Sequence, residues 1–77
     1  MQVKVLFFGV LAEVTGSNCK FYSNVKSIGH LKNMILDDFP EIAHYNYRIS
    51  LNSEIINNDP DLNDGDEVAL MPPFAGG

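Results

Sequence analysis

With one cysteine, no tryptophan and five basic side chains among its 77 residues, the sequence is short of several kinds of chemistry. A lone Cys19 excludes an internal disulfide, a thiolate zinc cage and a four-cysteine iron–sulfur cluster, and an unstapled domain of this kind is expected in the cytoplasm. Apolar runs are far too short for a bilayer, and the N-terminus lacks the basic-then-apolar order of a secretory signal, so no membrane partner is expected. Also missing are a phosphate-cradling glycine loop with Lys-Ser/Thr, a metal-holding pair of histidines at helical spacing and a hydroxyl nucleophile beside a base. A chain of this length holds one domain and buries only about 60% of its unfolded surface, too little for a large self-contained active site.

Basic residues are absent from one whole portion of the chain. Residues 1–48 carry Lys4, Lys20, Lys26, Lys32 and Arg48 against Glu13, Asp37, Asp38 and Glu41, a net charge of +1. Everything after Arg48 has six acids and no base, a net charge of -6. Such a portion repels phosphate backbones, which disfavours nucleic acid as a partner. It fits either a basic protein partner or a solvated acidic loop.

What is present reads as a succession of short elements. Gln2 to Phe8 is nearly continuous in apolar character, as for a strand covered on both faces, and Gly9 stops it. Val10 to Val14 suits a helical turn, Gly16-Ser17-Asn18 a turn, and Cys19 to Tyr22 a short second strand. Ser27 is the expected N-cap of a helix whose apolar stripe is Ile28, Leu31, Ile35 and Phe39, and Pro40 ends it. Gly29 weakens its first turn by about 1 kcal/mol, and Asp37 and Asp38 sit at the unfavourable end of its dipole. Tyr47, Ile49 and Leu51 alternate with polar residues, Asn52-Ser53 is a turn, and Glu54-Ile55-Ile56 returns as a short strand. After the break at Asn57-Asn58-Asp59-Pro60, the turn Asn63-Asp64-Gly65-Asp66 leads into an apolar strand over Glu67 to Met71.

This order predicts an α+β domain over residues 1–71, with one main helix packed on a mixed sheet. The first and last strands, the most apolar, are expected side by side and parallel at the sheet centre, which brings Phe8 near Met71. From there Pro72-Pro73-Phe74-Ala75-Gly76-Gly77 leaves as an extended tail. His30 and His44 read as ordinary surface or boundary residues, and Cys19 as a small core residue. The tail has no titratable side chain, so the carboxylate of Gly77 is its one ionisable group. Gly76 and Gly77 lack Cβ atoms and admit close approach, while Pro72 and Pro73 stiffen the root. Six extended residues reach roughly 20 Å, enough to enter a partner's channel. A carboxylate is inert at neutral pH, so it needs activation, for instance as an acyl-adenylate made by an enzyme that binds ATP.

The segments Lys4-Val5-Leu6-Phe7-Phe8-Gly9, Ala12-Glu13 with Gly16, and Leu62-Asn63-Asp64-Gly65-Asp66-Glu67-Val68-Ala69-Leu70-Met71-Pro72-Pro73-Phe74-Ala75-Gly76-Gly77 resemble the small subunit of molybdopterin synthase, the MoaD-type sulfur carrier of the MoaD/ThiS ubiquitin-like family. The resemblance runs from end to end, and its acidic-turn, strand and Pro-Pro-x-x-Gly-Gly ending is the specific part. It implies a ubiquitin-like β-grasp fold. It implies too that Gly77 is adenylated by a ubiquitin-activating-like adenylyltransferase using ATP and becomes a thiocarboxylate. Its tail then enters the large synthase subunit, in a heterotetramer, to donate sulfur to cyclic pyranopterin monophosphate. No cofactor or metal would be bound by the chain itself. Phe8, Ile55 and Met71 correspond to apolar residues that face the large subunit, and Phe74 adds an aromatic on the tail. The chain departs from the pattern at Ala12, where many members carry Arg. Alternatives are the sulfur carrier of thiazole formation in thiamine synthesis, which usually lacks the Pro-Pro pair, a protein modifier joined to lysines through Gly77, and a β-grasp interaction domain with a passive tail.

Overall fold

The structure is a computed structural model that describes residues 1–73. The expected tail residues Phe74, Ala75, Gly76 and Gly77 lie outside the described residues. The chain forms β1 (Val3–Phe7), α1 (Val10–Thr15), β2 (Cys19–Tyr22), α2 (Ile28–Asp38), a 3-10 helix (Pro40–His44), β3 (Arg48–Leu51), β4 (Glu54–Ile56) and β5 (Glu67–Met71). The five strands make one sheet in the order β2-β1-β5-β3-β4. β1 and β5 run parallel, and the other neighbours are antiparallel. This mixed sheet with one main helix is the ubiquitin-like β-grasp.

Alternation along the strands decides what the helices cover. Val3, Val5 and Phe7 of β1 and Val68 and Leu70 of β5 are buried beneath the helices with Leu11, Leu31, Ile35 and Ile42. The intervening residues of β1, Lys4 and Leu6, stay half-buried on the opposite face. The apolar run of β1 is thus covered by helices on one face only, not on both as its composition suggests. An eleven-residue α2 with a single apolar stripe can close only one side of the sheet.

Tertiary partners supply what α2 lacks locally. Ser27 Oγ accepts from the His30 backbone N–H at 3.0 Å, and Asp59 Oδ1 accepts from Ile28 N–H at 3.1 Å. His30 Nδ1 accepts from Lys26 N–H at 3.0 Å, so this histidine holds the chain entering the helix. At the other end, Asp38 receives Lys20 Nζ at 2.6 Å and the Tyr22 hydroxyl at 2.9 Å. The same ammonium lies 5.1 Å from the Phe39 ring centroid, and that ring meets Phe7 edge-on. An acid at the wrong helix end is thereby neutralised by the neighbouring strand. After Phe39 the chain continues into a 3-10 helix carrying His44; Pro40 at its first position favours a new helical start.

Several acids of the -6 portion are structural acceptors. Asp64 Oδ1 takes the Gln2 N–H at 2.7 Å, and Asp66 Oδ2 takes the Asn63 N–H at 2.7 Å. Asn52 and Ser53 have φ of 49° and 75°, a two-residue hairpin turn of the primed type. Its Asn52 amide bonds Asp66 Oδ1 at 3.1 Å and accepts from Glu67 N–H at 3.0 Å, which ties the β3–β4 tip to the start of β5.

Candidate functional site

The helix-free face of the sheet collects the residues expected to meet a partner. Register places Leu6 beside Ala69, Ala69 beside Ser50, and Ser50 beside Ile55, so these four cross the sheet in one row. The next row carries Met71, in register with Arg48, and Phe8 lies beside it because its N–H donates to Leu70 O at 3.1 Å. Phe8 is 46% and Ile55 48% exposed, high values for large apolar side chains with no catalytic chemistry of their own. Small Ser50 and Ala69 in the middle, with larger Phe8, Ile55, Leu6 and Met71 around them, leave a hollow of about 340 Å³. It can receive apolar side chains from another surface.

At one edge of this face the tail begins. Gly9, Phe8, Met71 and Pro72 border an almost wholly apolar notch of about 300 Å³. Gly9 has φ 57° and ψ -134°, and a Cβ built there would stand 2.8 Å from Pro72 Cγ. Only glycine gives the chain both the turn out of β1 and the room for Pro72 to lie against it. Of the expected tail residues, Pro72 is half-buried and Pro73 exposed; Phe74, Ala75, Gly76 and Gly77 fall outside the described residues.

Phe8, Ile55 and Met71 are thus brought together, and none of the three belongs to the buried core. The sequence reading missed Leu6, Ser50 and Ala69, which complete the hollow, and Gly9, which seats the tail root. Ala69 sits at an alternate position of β5 with Met71, and Ser50 faces Ile55 across the β3–β4 pair, but choosing a face for them needed the pairing register. Cys19 is half-buried and stands in register with Leu6 on the same open face, not in the core; the -Cys-x-Phe- alternation of β2 puts Tyr22 inside instead. Among the described residues no group of three or more His, Cys, Asp or Glu could hold a metal ion. A larger groove of about 390 Å³ between α2 and β3–β4, bordered by Lys32, Tyr45, Tyr47 and Asn57, is separate from this face. No helix among the described residues is long and apolar enough to cross a membrane.

The helix-free face thus meets the root of the Pro-Pro segment at one edge of the sheet. The ThiS family model matches residues 5–77. The chain belongs to the ThiS family. No curated protein matches it significantly. Among solved structures it is similar to a chain of the complex of subunits 1 and 2 of molybdopterin-converting factor from Helicobacter pylori 26695, with 29% identity over 100% of both chains and a TM-score of 0.75. SAMP1 from Haloferax volcanii is similar at 22% identity over 100% of both chains, TM-score 0.83. The small archaeal modifier protein 1 from Methanosarcina acetivorans is similar at 22% identity, over 99% of this chain and 96% of that one, TM-score 0.85. The last two establish the shared fold. In this ThiS-family chain the helix-free face and the tail root are one continuous surface, joined through Phe8 and Met71, which border both the hollow and the notch.

Proposed function

We propose that this ThiS-family chain is the cytoplasmic sulfur-carrying subunit of a molybdopterin-forming enzyme, working through the carboxylate of Gly77. The observation that carries the reading is the open face of Phe8, Ile55 and Met71 continuous with the root of the Pro-Pro-x-x-Gly-Gly segment. A surface of that kind holds a partner while the tail reaches past the contact. The similarity to a chain from a two-subunit molybdopterin-converting factor supports a large-subunit partner. In the proposed cycle a Gly77 carboxylate oxygen attacks the α-phosphorus of ATP on a separate adenylyltransferase and releases pyrophosphate. Sulfur at the sulfide level then adds to the carbonyl carbon, expels AMP and, after loss of a proton, leaves a thiocarboxylate. Docked on the large subunit, the carrier gives up that sulfur to cyclic pyranopterin monophosphate as water cleaves the carbon–sulfur bond and restores the carboxylate. The chain's own role is to dock, to aim the tail and to present one carbonyl carbon; cations for a phosphate-bearing substrate come from the partner, since the portion leading to the tail is acidic.

The test has two stages. Intact-mass measurement after incubation with the adenylyltransferase, ATP and a sulfur donor is expected to find one oxygen replaced by sulfur, at Gly77. The charged carrier, mixed with the large subunit and the pterin precursor, is expected to yield dithiolene product. An unmodified Gly77 under conditions that charge a known carrier rejects sulfur carriage. A charged carrier that restores thiazole synthesis but forms no dithiolene reassigns it to the thiamine pathway, and Gly77 found joined to protein lysines reassigns it as a modifier.

A further inference from the structure

Charged residues flank the open face at the two ends of β5, and of these Glu67 borders the hollow itself. At the start of that strand stand Asp64, Asp66 and Glu67, with Lys4 in register with Glu67 as the one base among them. At its end stands Arg48, exposed and in register with Met71, beside the tail root. The other bases are elsewhere: Lys20 is committed to Asp38, and Lys26 and Lys32 belong to the helix side. Arg48 also borders the larger groove behind β3. Among the described residues it makes no ion pair, the one such pair being Lys20–Asp38. The four residues of rise from Glu67 to Met71 separate the two poles by roughly 13 Å, more than a Debye length at physiological salt, so each pole acts on its own part of an opposing surface.

We propose that this face is bipolar and selects a partner surface that sets a carboxylate opposite Arg48 and cationic side chains opposite Asp64, Asp66 and Glu67, on either side of an apolar socket for Phe8, Ile55 and Met71. The inference rests on the proposed function for the partner's identity and goes beyond it by stating what that partner's surface must carry. Apolar burial supplies affinity but tolerates rotation about the socket. Turning the partner by half a turn brings carboxylate against carboxylate and cation against Arg48, so the two poles admit one orientation. In that orientation the tail root at Pro72 sits next to the single partner carboxylate that pairs with Arg48. Charge division therefore aims the tail before any contact with it is made.

The experiment measures association of the full-length chain with the large subunit by stopped flow across a range of ionic strengths, for the wild type, Arg48→Glu, Arg48→Gln and Glu67→Lys. The wild-type rate is expected to fall as salt rises. Arg48→Glu and Glu67→Lys each slow low-salt association on the order of tenfold, Arg48→Gln by less, and all four converge at high salt. Thermal unfolding of each variant separates a docking defect from a folding one, and Arg48→Gln, which introduces no new charge, serves if a reversal unfolds the domain. Wild-type rates and salt dependence in folded Arg48→Glu and Glu67→Lys overturn the bipolar face while leaving the proposed function standing. If the wild-type chain itself does not bind the large subunit, the proposed function fails and this inference falls with it.

Discussion

Replacing Gly9 by alanine tests whether the tail root is seated by the body of the domain. Leu11 N–H donates to Phe8 O at 3.1 Å and closes a turn in which Gly9 holds φ 57° and ψ -134°, a region almost reserved to glycine. An L-residue there costs about 1–3 kcal/mol in backbone strain. The new methyl would also lie 2.8 Å from Pro72 Cγ and 3.4 Å from Cδ. Overpacking costs up to about 3 kcal/mol in a closed core, but Pro72 follows the last strand and can yield, so about 1 kcal/mol is assigned to it. The sum of about 2–4 kcal/mol leaves a domain of ordinary stability folded. At roughly 4–8 °C per kcal/mol for a chain of this size, the melting temperature should drop by roughly 8–32 °C, read by calorimetry or circular dichroism. Adding Pro72→Ala should recover only the steric share, since the strained turn remains. Because the docking face is untouched, adenylation of Gly9→Ala should lose kcat while KM for the carrier holds. A melting temperature within about 3 °C of wild type would show that the turn is not strained and that Pro72 is not seated on Gly9.

Phe8→Asp should weaken large-subunit binding by at least about thirtyfold in calorimetric titration, the scale of a buried aromatic anchor, with little change in melting temperature because Phe8 is 46% exposed in the free chain. Gly29→Ala should stabilise by about 1 kcal/mol and raise the melting temperature, since the added methyl meets Ser27 Oγ and Asp59 Oδ2 only at 3.8 and 3.9 Å; a fall would mean that the first turn of α2 needs glycine. Hydrogen bonds from Lys20 and then Tyr22 hold the Asp38 carboxyl below its usual 3.8. Its contribution is therefore present above that value and lost as pH falls through the lower folded one, so Asp38→Asn should flatten the acid limb of a stability–pH curve. At the alkaline end the sign is opposite. Burial, followed by the hydrogen bond and negative charge of Asp38, raises the Tyr22 phenol above its ordinary 10.0, and burial raises Tyr47. Their contribution is complete below pH 10.0 and is lost above it, and ultraviolet titration of Tyr22→Phe should lose one late-ionising phenol.

Local chemistry is enough to locate most elements. The stripe Ile28, Leu31, Ile35 with Ser27 ahead and Pro40 behind marks α2, and Asn52-Ser53 between two short apolar stretches marks the β3–β4 hairpin. Both depend on residues within one or two turns of each other, so periodicity and capping reveal them. The 3-10 helix over Pro40–His44 was less legible, because five residues without a repeated stripe look like a loop until Ile42 finds the core. Acids of the C-terminal portion were misleading in another way. Their sum suggested a solvated or docking surface, whereas Asp59 and Asp64 also satisfy backbone N–H groups far away in sequence, and Asp66 satisfies that of nearby Asn63.

By itself the sequence determined that the chain is a small α+β domain, and its Pro-Pro-x-x-Gly-Gly segment is the feature on which the proposed chemistry rests. Phe8, Ile55 and Met71 could be named as candidates through the family resemblance, with plain core packing as the alternative for each. Tertiary structure alone decided between those fates. A strand's period of two divides side chains between faces without saying which face a helix will cover. That choice is made when the single stripe of α2 closes over Val3, Val5, Phe7, Val68 and Leu70, leaving Leu6, Ala69, Ser50 and Ile55 aligned on the helix-free face by the register of β1, β5, β3 and β4. Arg48 reaches the tail root by the same means, through its register with a residue twenty-three positions later in the chain.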